Sequence, residues 1–215
     1  PIPPEGSRAL HAGENAQTIV EKVQKHQTNP GRLSLADLSA YQPKRRAALC
    51  HDYAARGRDC RLWASPPPSS GAMAVGQILG ILAHTPAASL PLQDGLPSAE
   101  WLHLYTEAAR LAFADRGQYG ADPDFVQAPG GSWTSMLEPS YLAERARLMG
   151  PQSMKVAQPG NPAGVKASFA PMAPQPEYGT SHISIVDAFG IGLAMTTTIE
   201  DQFGARQMVR GFLLN

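Results

Sequence analysis

Net charge is the first thing this chain lacks: 18 Lys and Arg balance 18 Asp and Glu. A balanced surface gives no general electrostatic grip on nucleic acid or on an anionic membrane, so neither is expected as a partner. Long apolar runs are missing too. The longest, around residues 72–83, is interrupted by glycine and too short to span a bilayer, and Pro1-Ile2-Pro3-Pro4 has no signal-peptide character. Cysteine is scarce, and Cys50 and Cys60 have no further ligands at metal-binding spacing. What remains is small-molecule chemistry on a chain of 215 residues with 43% apolar content, enough for one core or two small ones.

The first two thirds read as helices joined by loops. Residues 14–26 carry Ala16, Ile19, Val20 and Val23 on one face, and Ser34 with Asp37 three residues later forms a capping-box start. Pro66-Pro67-Pro68 forbids helix, after which Ser69 or Ser70 can cap the run Ala72–His84. Ser98 caps a helix from Ala99 to Asp115 with Trp101, Leu104, Ala108 and Leu111 as its buried stripe, and Pro139 opens a shorter helix to about Met149. Residues 150–179 contain Pro151, Pro159, Pro162, Pro171, Pro174 and Pro176, which predicts an exposed, mobile linker.

Beyond the linker the period changes. From His182 to Asp187 apolar and polar residues largely alternate, Ala188-Phe189-Gly190-Ile191 can turn, and Gly192 to Ile199 reads as a returning strand. A turn centred on Phe189 pairs positions whose numbers sum to about 378, which sets Thr198 opposite Thr180. A threonine hydroxyl needs a base beside it, and one source is its own α-amine, released by cutting the chain just before it. Gly179 is then the scissile residue, with no side chain to obstruct attack on its carbonyl. On the hairpin alone, Thr180 as an ordinary strand-starting residue stands as the rival reading.

The run Thr180-Ser181-His182-Ile183-Ser184-Ile185-Val186-Asp187, followed by Thr196-Thr197-Thr198, Phe203-Gly204 and Gly211-Phe212-Leu213-Leu214-Asn215, resembles the start of the small subunit of γ-glutamyltransferases. Four earlier marks stand in the family's order: Asp37-Leu38-Ser39-Ala40-Tyr41, Pro66-Pro67-Pro68-Ser69-Ser70-Gly71, Glu107-Ala108 with Ala114-Asp115-Arg116, and Gly120-Ala121-Asp122-Pro123-Asp124-Phe125-Val126. The resemblance implies an α+β fragment of an N-terminal nucleophile hydrolase of αββα type. Residues 1–149 would belong to the large subunit, 150–179 to a linker, and 180–215 to the start of the small subunit, with the remainder of both subunits supplied by a longer protein. It implies autocatalytic cleavage at Gly179-Thr180, Thr180 as nucleophile and Thr198 as the group that holds and polarises it. The substrate would be a γ-glutamyl amide such as glutathione, and water, an amino acid or a dipeptide the acceptor. No cofactor or metal is implied, and the expected placement is periplasmic or secreted. The sequence departs from better-known members at Glu200, where asparagine is usual. Strand alternation puts Glu200 on the face of Thr180, where it can meet the substrate amino group and alter the choice of acyl donor. An acylase for glutaryl-type side chains of β-lactams is the second reading, and an unprocessed, non-catalytic homologue the third.

Cys50 and Cys60 flank a turn at Ala54-Ala55-Arg56-Gly57 between short strands Ala48–Tyr53 and Cys60–Ala64, so a disulfide across that hairpin is expected, in keeping with an oxidising compartment. Two unrelated thiols are the alternative. The remaining polar residues read as structural. Ser69-Ser70 serve as caps, Asp115-Arg116 as an ion pair, His51-Asp52 and His103 with Glu107 as surface groups or supports, and His182 as a packing or hydrogen-bonding residue on the Thr180 face.

Overall fold

The computed structural model describes residue 6 and residues 8–55, 57–164, 170, 171 and 179–215. It is mixed helix and strand, and every sheet among the described residues is a two-stranded antiparallel ribbon. Packing divides the chain into two compact units, one within residues 45–173 and the other formed from the described parts of 1–44 and 174–215. The expected boundaries at 149 and 179 do not coincide with this division.

The first unit opens with β1 (Leu49–Ala55) and β2 (Arg58–Ala64), followed by α4 (Gly71–Leu82), α5 (Ala99–Tyr119) and α6 (Pro139–Ala146). The helices α1 (Arg8–His11), α2 (Gly13–Gln24) and α3 (Leu35–Ala40) belong to the other unit. Ile78 and Ile81 of α4, Ala108, Leu111 and Ala112 of α5, and Leu142 of α6 form the main core. Gly80 lets α4 approach α6 closely, because a Cβ there would overlap the Leu142 side chain. α5 runs past the expected Asp115 to Tyr119. Its last turns are held by a polar hub at Asp115, which has no exposed surface. The Asp115 carboxylate accepts from Gln77 Nε2 of α4 at 2.8 Å, Tyr141 Oη of α6 at 2.7 Å and the Gly160 amide at 2.7 Å. Arg145 of α6 pairs with it at 3.1 Å. Asp115 thus meets Arg145 across the core, not Arg116 beside it. Consecutive helical residues point about 100° apart, so neighbours in sequence do not face each other.

The expected mobile linker is corrected in its first half. Residues 150–164 are docked on the helices. Glu107 accepts from Ser153 Oγ at 3.1 Å and the Met154 amide at 2.8 Å. Arg110 donates to the Lys155 carbonyl, Arg145 to the Gln158 carbonyl, and Tyr119 to the Gly160 carbonyl. Pro162 is fully buried. Proline keeps this stretch out of α-helix, apart from a short 3₁₀ turn at Pro162–Gly164, and leaves carbonyls free to bond elsewhere. Residues 165–169 and 172–178 lie outside the described residues, and 170 and 171 are exposed.

The disulfide expectation is also corrected. Both cysteines are free. The β1–β2 ladder runs up to the pair Ala55–Arg58, with Gly57 at φ +71°, so Ala54 and Ala55 belong to strand rather than turn. That register puts Cys50 opposite Trp63 and Cys60 opposite Tyr53. Trp63 and Cys60 are three residues apart on β2, so the two thiols emerge on opposite faces.

In the other unit, α1 (Arg8–His11), α2 (Gly13–Gln24) and α3 (Leu35–Ala40) precede the hairpin β3 (Ser181–Val186) and β4 (Gly192–Thr197) and the short pair β5 (Met208–Val209) and β6 (Phe212–Leu213). The α3 capping box is present: Ser34 N donates to Asp37 at 2.8 Å and Asp37 N to Ser34 Oγ at 3.2 Å. Ala16, Ile19 and Val20 of α2 and Val209 of β5 are buried. Every residue of β3 and β4 is exposed, including Ile183, Ile185, Leu193 and Met195, which share one face. A ribbon open on both faces is an incomplete sheet.

Candidate active site

The β3–β4 hairpin is set by its turn. Asp187 accepts from the amides of Phe189 and Ile191, both at 2.9 Å, and Gly190 takes φ +82°. The resulting register pairs Ser181 with Thr197, His182 with Thr196 and Val186 with Gly192. Each pair sums to 378, as the count from Phe189 requires. The ladder stops one step short of Thr180 and Thr198. Continued by that step, it sets these two threonines opposite each other.

Their hydroxyls do not bond, however. Thr198 Oγ1 donates to the Gly179 carbonyl at 3.2 Å and accepts from the Glu200 amide at 2.9 Å. The Glu200 amide occupies an acceptor position on the hydroxyl, so its one proton is aimed at Gly179. Thr180 is exposed and its hydroxyl has no hydrogen-bond partner among the described residues. Gly179 sits at φ +121°, a conformation side chains rarely adopt.

An open pocket of about 520 Å³ lies over these residues, lined by Gly179, Thr180, Thr198, Glu200, Asp201 and Phe203 among others. Glu200 at φ +68° and Phe203 at φ +63° hold left-handed backbone without being glycine. Such conformations cost on the order of 1–3 kcal/mol each and concentrate at functional loops. Asp201 in the same wall is paired with Arg206 at 2.8 Å, while Glu200 has no cationic partner among the described residues. The pocket wall thus includes both Thr180 and an unneutralised acidic residue, Glu200, which stands in a left-handed turn past the end of β4 at Thr197 rather than being placed by strand alternation as expected.

The other singled-out residues lie apart. Ser70 stands before α4 but does not cap it; its backbone is already helical, and its hydroxyl accepts from Arg116 Nε at 2.8 Å. Ser98, by contrast, caps α5 as expected, accepting from the Trp101 amide. His103 and Glu107 do not converge on one point, since His103 bonds the Gly150 carbonyl. Asp52 is paired with Arg61, which holds its carboxyl below the usual range. Among the described residues no group of three or more His, Cys, Asp and Glu could hold a metal ion. No described helix is long and apolar enough to cross a membrane.

His51 is packed against Gly76 and Gly80 of α4 with Nε2 buried and unpartnered. Burial pushes its imidazole below the ordinary value of 6.5, and Asp52 offsets part of that. The unfolded chain therefore takes a proton more readily than the folded one. This contribution to stability is intact above pH 6.5 and is lost as pH falls through the depressed folded value. The urea midpoint should fall as pH is lowered through this range, and His51→Gln should reduce that slope; equal slopes would contradict it.

A family pattern described as Gamma-glutamyltranspeptidase matches residues 2–215. The glutathione hydrolase proenzyme of Pseudomonas sp. (strain A14) is 32% identical over 211 residues, which are 98% of this chain and 33% of that protein. The acylase ACY 1 proenzyme of Pseudomonas sp. (strain V22) is 30% identical over 204 residues, 95% of this chain and 32% of its own length. Among solved structures, the gamma-glutamyltranspeptidase from Pseudomonas nitroreducens, complexed with L-DON, superposes with a TM-score of 0.59 at 28% identity, covering 72% of this chain and 44% of that one. The chain thus spans about a third of the length of the curated relatives it matches.

Proposed function

The chain belongs to the gamma-glutamyltranspeptidase family, and from that premise we propose that Thr180 is the nucleophile of a γ-glutamyl transferase and hydrolase that matures by cutting its own chain at Gly179-Thr180. The observation that carries this reading is the Thr198 hydroxyl bonded to the Gly179 carbonyl, beside a glycine held at φ +121°. A donor at that carbonyl draws electron density from its carbon and eases attack by Thr180 Oγ. The amide becomes an ester, water hydrolyses it, and Thr180 is left with a free α-amine.

Cleavage also changes what Thr198 can do. Once the Gly179 carbonyl departs, the Thr198 proton loses its acceptor, while the Glu200 amide still fixes the hydroxyl from the other side. Thr180 Oγ, one step beyond the paired strands, is the acceptor left within the register. In turnover, Thr180 Oγ attacks the γ-carbonyl of a donor such as glutathione, and the Thr180 amine takes the hydroxyl proton. An acyl-enzyme forms as the leaving amine departs. Water, an amino acid or a dipeptide then takes the acyl group.

Glu200 decides between donors. A γ-glutamyl head carries an ammonium that a carboxylate attracts, whereas a glutaryl group carries only a second negative charge. The acylase among the relatives keeps the glutaryl reading as the alternative. A γ-glutamyl anilide should be turned over faster than a glutaryl amide by the full-length protein. Glu200→Gln should raise KM for the γ-glutamyl donor about tenfold, the loss of one charge-assisted hydrogen bond, with kcat little changed. Preference for the glutaryl amide would move the assignment to an acylase. The αββα fold of the whole protein and its placement outside the cytoplasm rest on the family resemblance, since the cysteines no longer argue for an oxidising compartment.

A further inference from the structure

We propose that His182, held by Thr196, is a positioning residue that parks the proton of the Thr180 amine during acyl transfer. The proposal rests on Thr180 as nucleophile and adds a second polar rung beneath it. His182 and Thr196 are direct cross-strand partners, and His182 Nδ1 lies 2.8 Å from Thr196 Oγ1. In strand phase they share the face of Thr180 and Thr198, one turn of the pleat further into the hairpin. Two residues of strand span about 6.6 Å, a gap that an imidazole and one water can bridge.

The bond to Thr196 has a chemical consequence. It occupies Nδ1 and leaves Nε2 as the ring nitrogen free to exchange a proton. Imidazole is the side chain suited to this between about pH 5 and 8. The surroundings leave that nitrogen uncommitted. On this face its polar neighbours are the side chains of Thr180, Ser184, Thr196 and Thr198, none of which carries charge, and the one ionisable group that cleavage adds is the Thr180 α-amine. The hairpin's one carboxylate, Asp187, is turned to the amides of Phe189 and Ile191, and Glu200 and Asp201 lie beyond the end of β4. Both strands are exposed, so no other described element packs against the ring.

The proton count closes. As Thr180 Oγ bonds to the acyl carbon, its proton passes to the α-amine and from there through water to His182 Nε2. As the carbon–nitrogen bond breaks, the imidazolium returns that proton by the same path to the leaving amine. Thr180 is left acylated with a neutral amine, ready to activate water or an acceptor. Without His182 the amine itself would have to hold the proton through the tetrahedral intermediate until the leaving amine takes it.

A role in tying the strands together is separable from this one. In His182→Asn the side-chain amide can still bond Thr196 but cannot take up a proton. The mature full-length enzyme carrying it should lose about 10²-fold in kcat, with KM for a γ-glutamyl anilide nearly unchanged and the acidic limb of the kcat–pH profile altered, reduced to the titration of the Thr180 amine. Thr196→Val, which frees the ring, should lose about tenfold, and Thr196→Ser should restore most of it. If His182→Asn is not cleaved, His182→Gly with added imidazole gives the second reading, and recovery of turnover supports the relay. A cleaved His182→Asn enzyme with unchanged kcat and pH profile, or a cleaved His182→Gly enzyme that imidazole fails to rescue, overturns it and leaves the nucleophile standing. Turnover surviving in Thr180→Ala overturns both.

Discussion

Replacing Thr180 by alanine in the full-length protein is expected to stop chain cleavage and to lower turnover of a γ-glutamyl anilide by at least about 10³-fold, because the other hydroxyls lining the pocket, those of Ser181, Thr197 and Thr198, gain no α-amine of their own from the cut to act as base. The effect is large because one atom serves both steps. Thr180 Oγ attacks first the Gly179 carbonyl and later the substrate. Thr180→Ser keeps the hydroxyl and should keep both activities, though more weakly. Thr198→Ala separates the steps, since in the uncut chain the Thr198 hydroxyl donates its proton to the Gly179 carbonyl and not to Thr180 Oγ. Cleavage and turnover measured on these three variants apportion the roles; a Thr180→Ala protein that is still cut at this bond would remove Thr180 from the account.

The second large effect concerns stability. Asp115→Ala should destabilise the helical unit by about 3–5 kcal/mol, the usual loss when one partner of a buried ion pair is removed. Arg145 is 3% exposed and would keep its charge without the carboxylate. Gln77, Tyr141 and the Gly160 amide would each lose an acceptor too. Burial and the Asp115 carboxylate together hold the Tyr141 phenol far above its ordinary range, so that phenol stays a donor. Asp115→Asn should cost nearly as much, because its NH₂ must face donors on one side of the carboxylate. The urea midpoint of the chain reads this directly, and a change below about 1 kcal/mol would mean that the hub contributes little. Since many domains are stable by only about 5–15 kcal/mol, such a loss can empty the folded state.

How far the sequence could be read depended on whether a signal was local. The β3–β4 register was legible because a turn of known length fixes every pair after it, and Asp187 tightens that turn from within. The same reasoning failed at the cysteines, where Ala54 and Ala55 were assigned to a turn although both pair within the ladder. A slip of this kind moves side chains to the other face, and the disulfide went with it. The Asp115–Arg145 pair spans the core and leaves no local trace. A trace of another kind was present: Asp115 stands four residues after Leu111 on the buried stripe of α5, where a charge demands a partner. Glu107 on the same helix gave the same warning, and its partners are the linker residues expected to be free. Helix starts were read well at Ser34 and Ser98 and badly at Ser70, where a guanidinium outcompetes the helix end for the hydroxyl. In the site, Thr198 was found by counting, but its bond to Gly179 was not, since it depends on the positive φ of Gly179 and on the turn at Glu200.

The most direct test of the account is the N-terminal sequence of the smaller polypeptide obtained when the full-length protein is expressed and separated under denaturing conditions. The account predicts Thr-Ser-His-Ile, beginning at Thr180. A single uncut chain, or a small polypeptide beginning at any other residue, would contradict it.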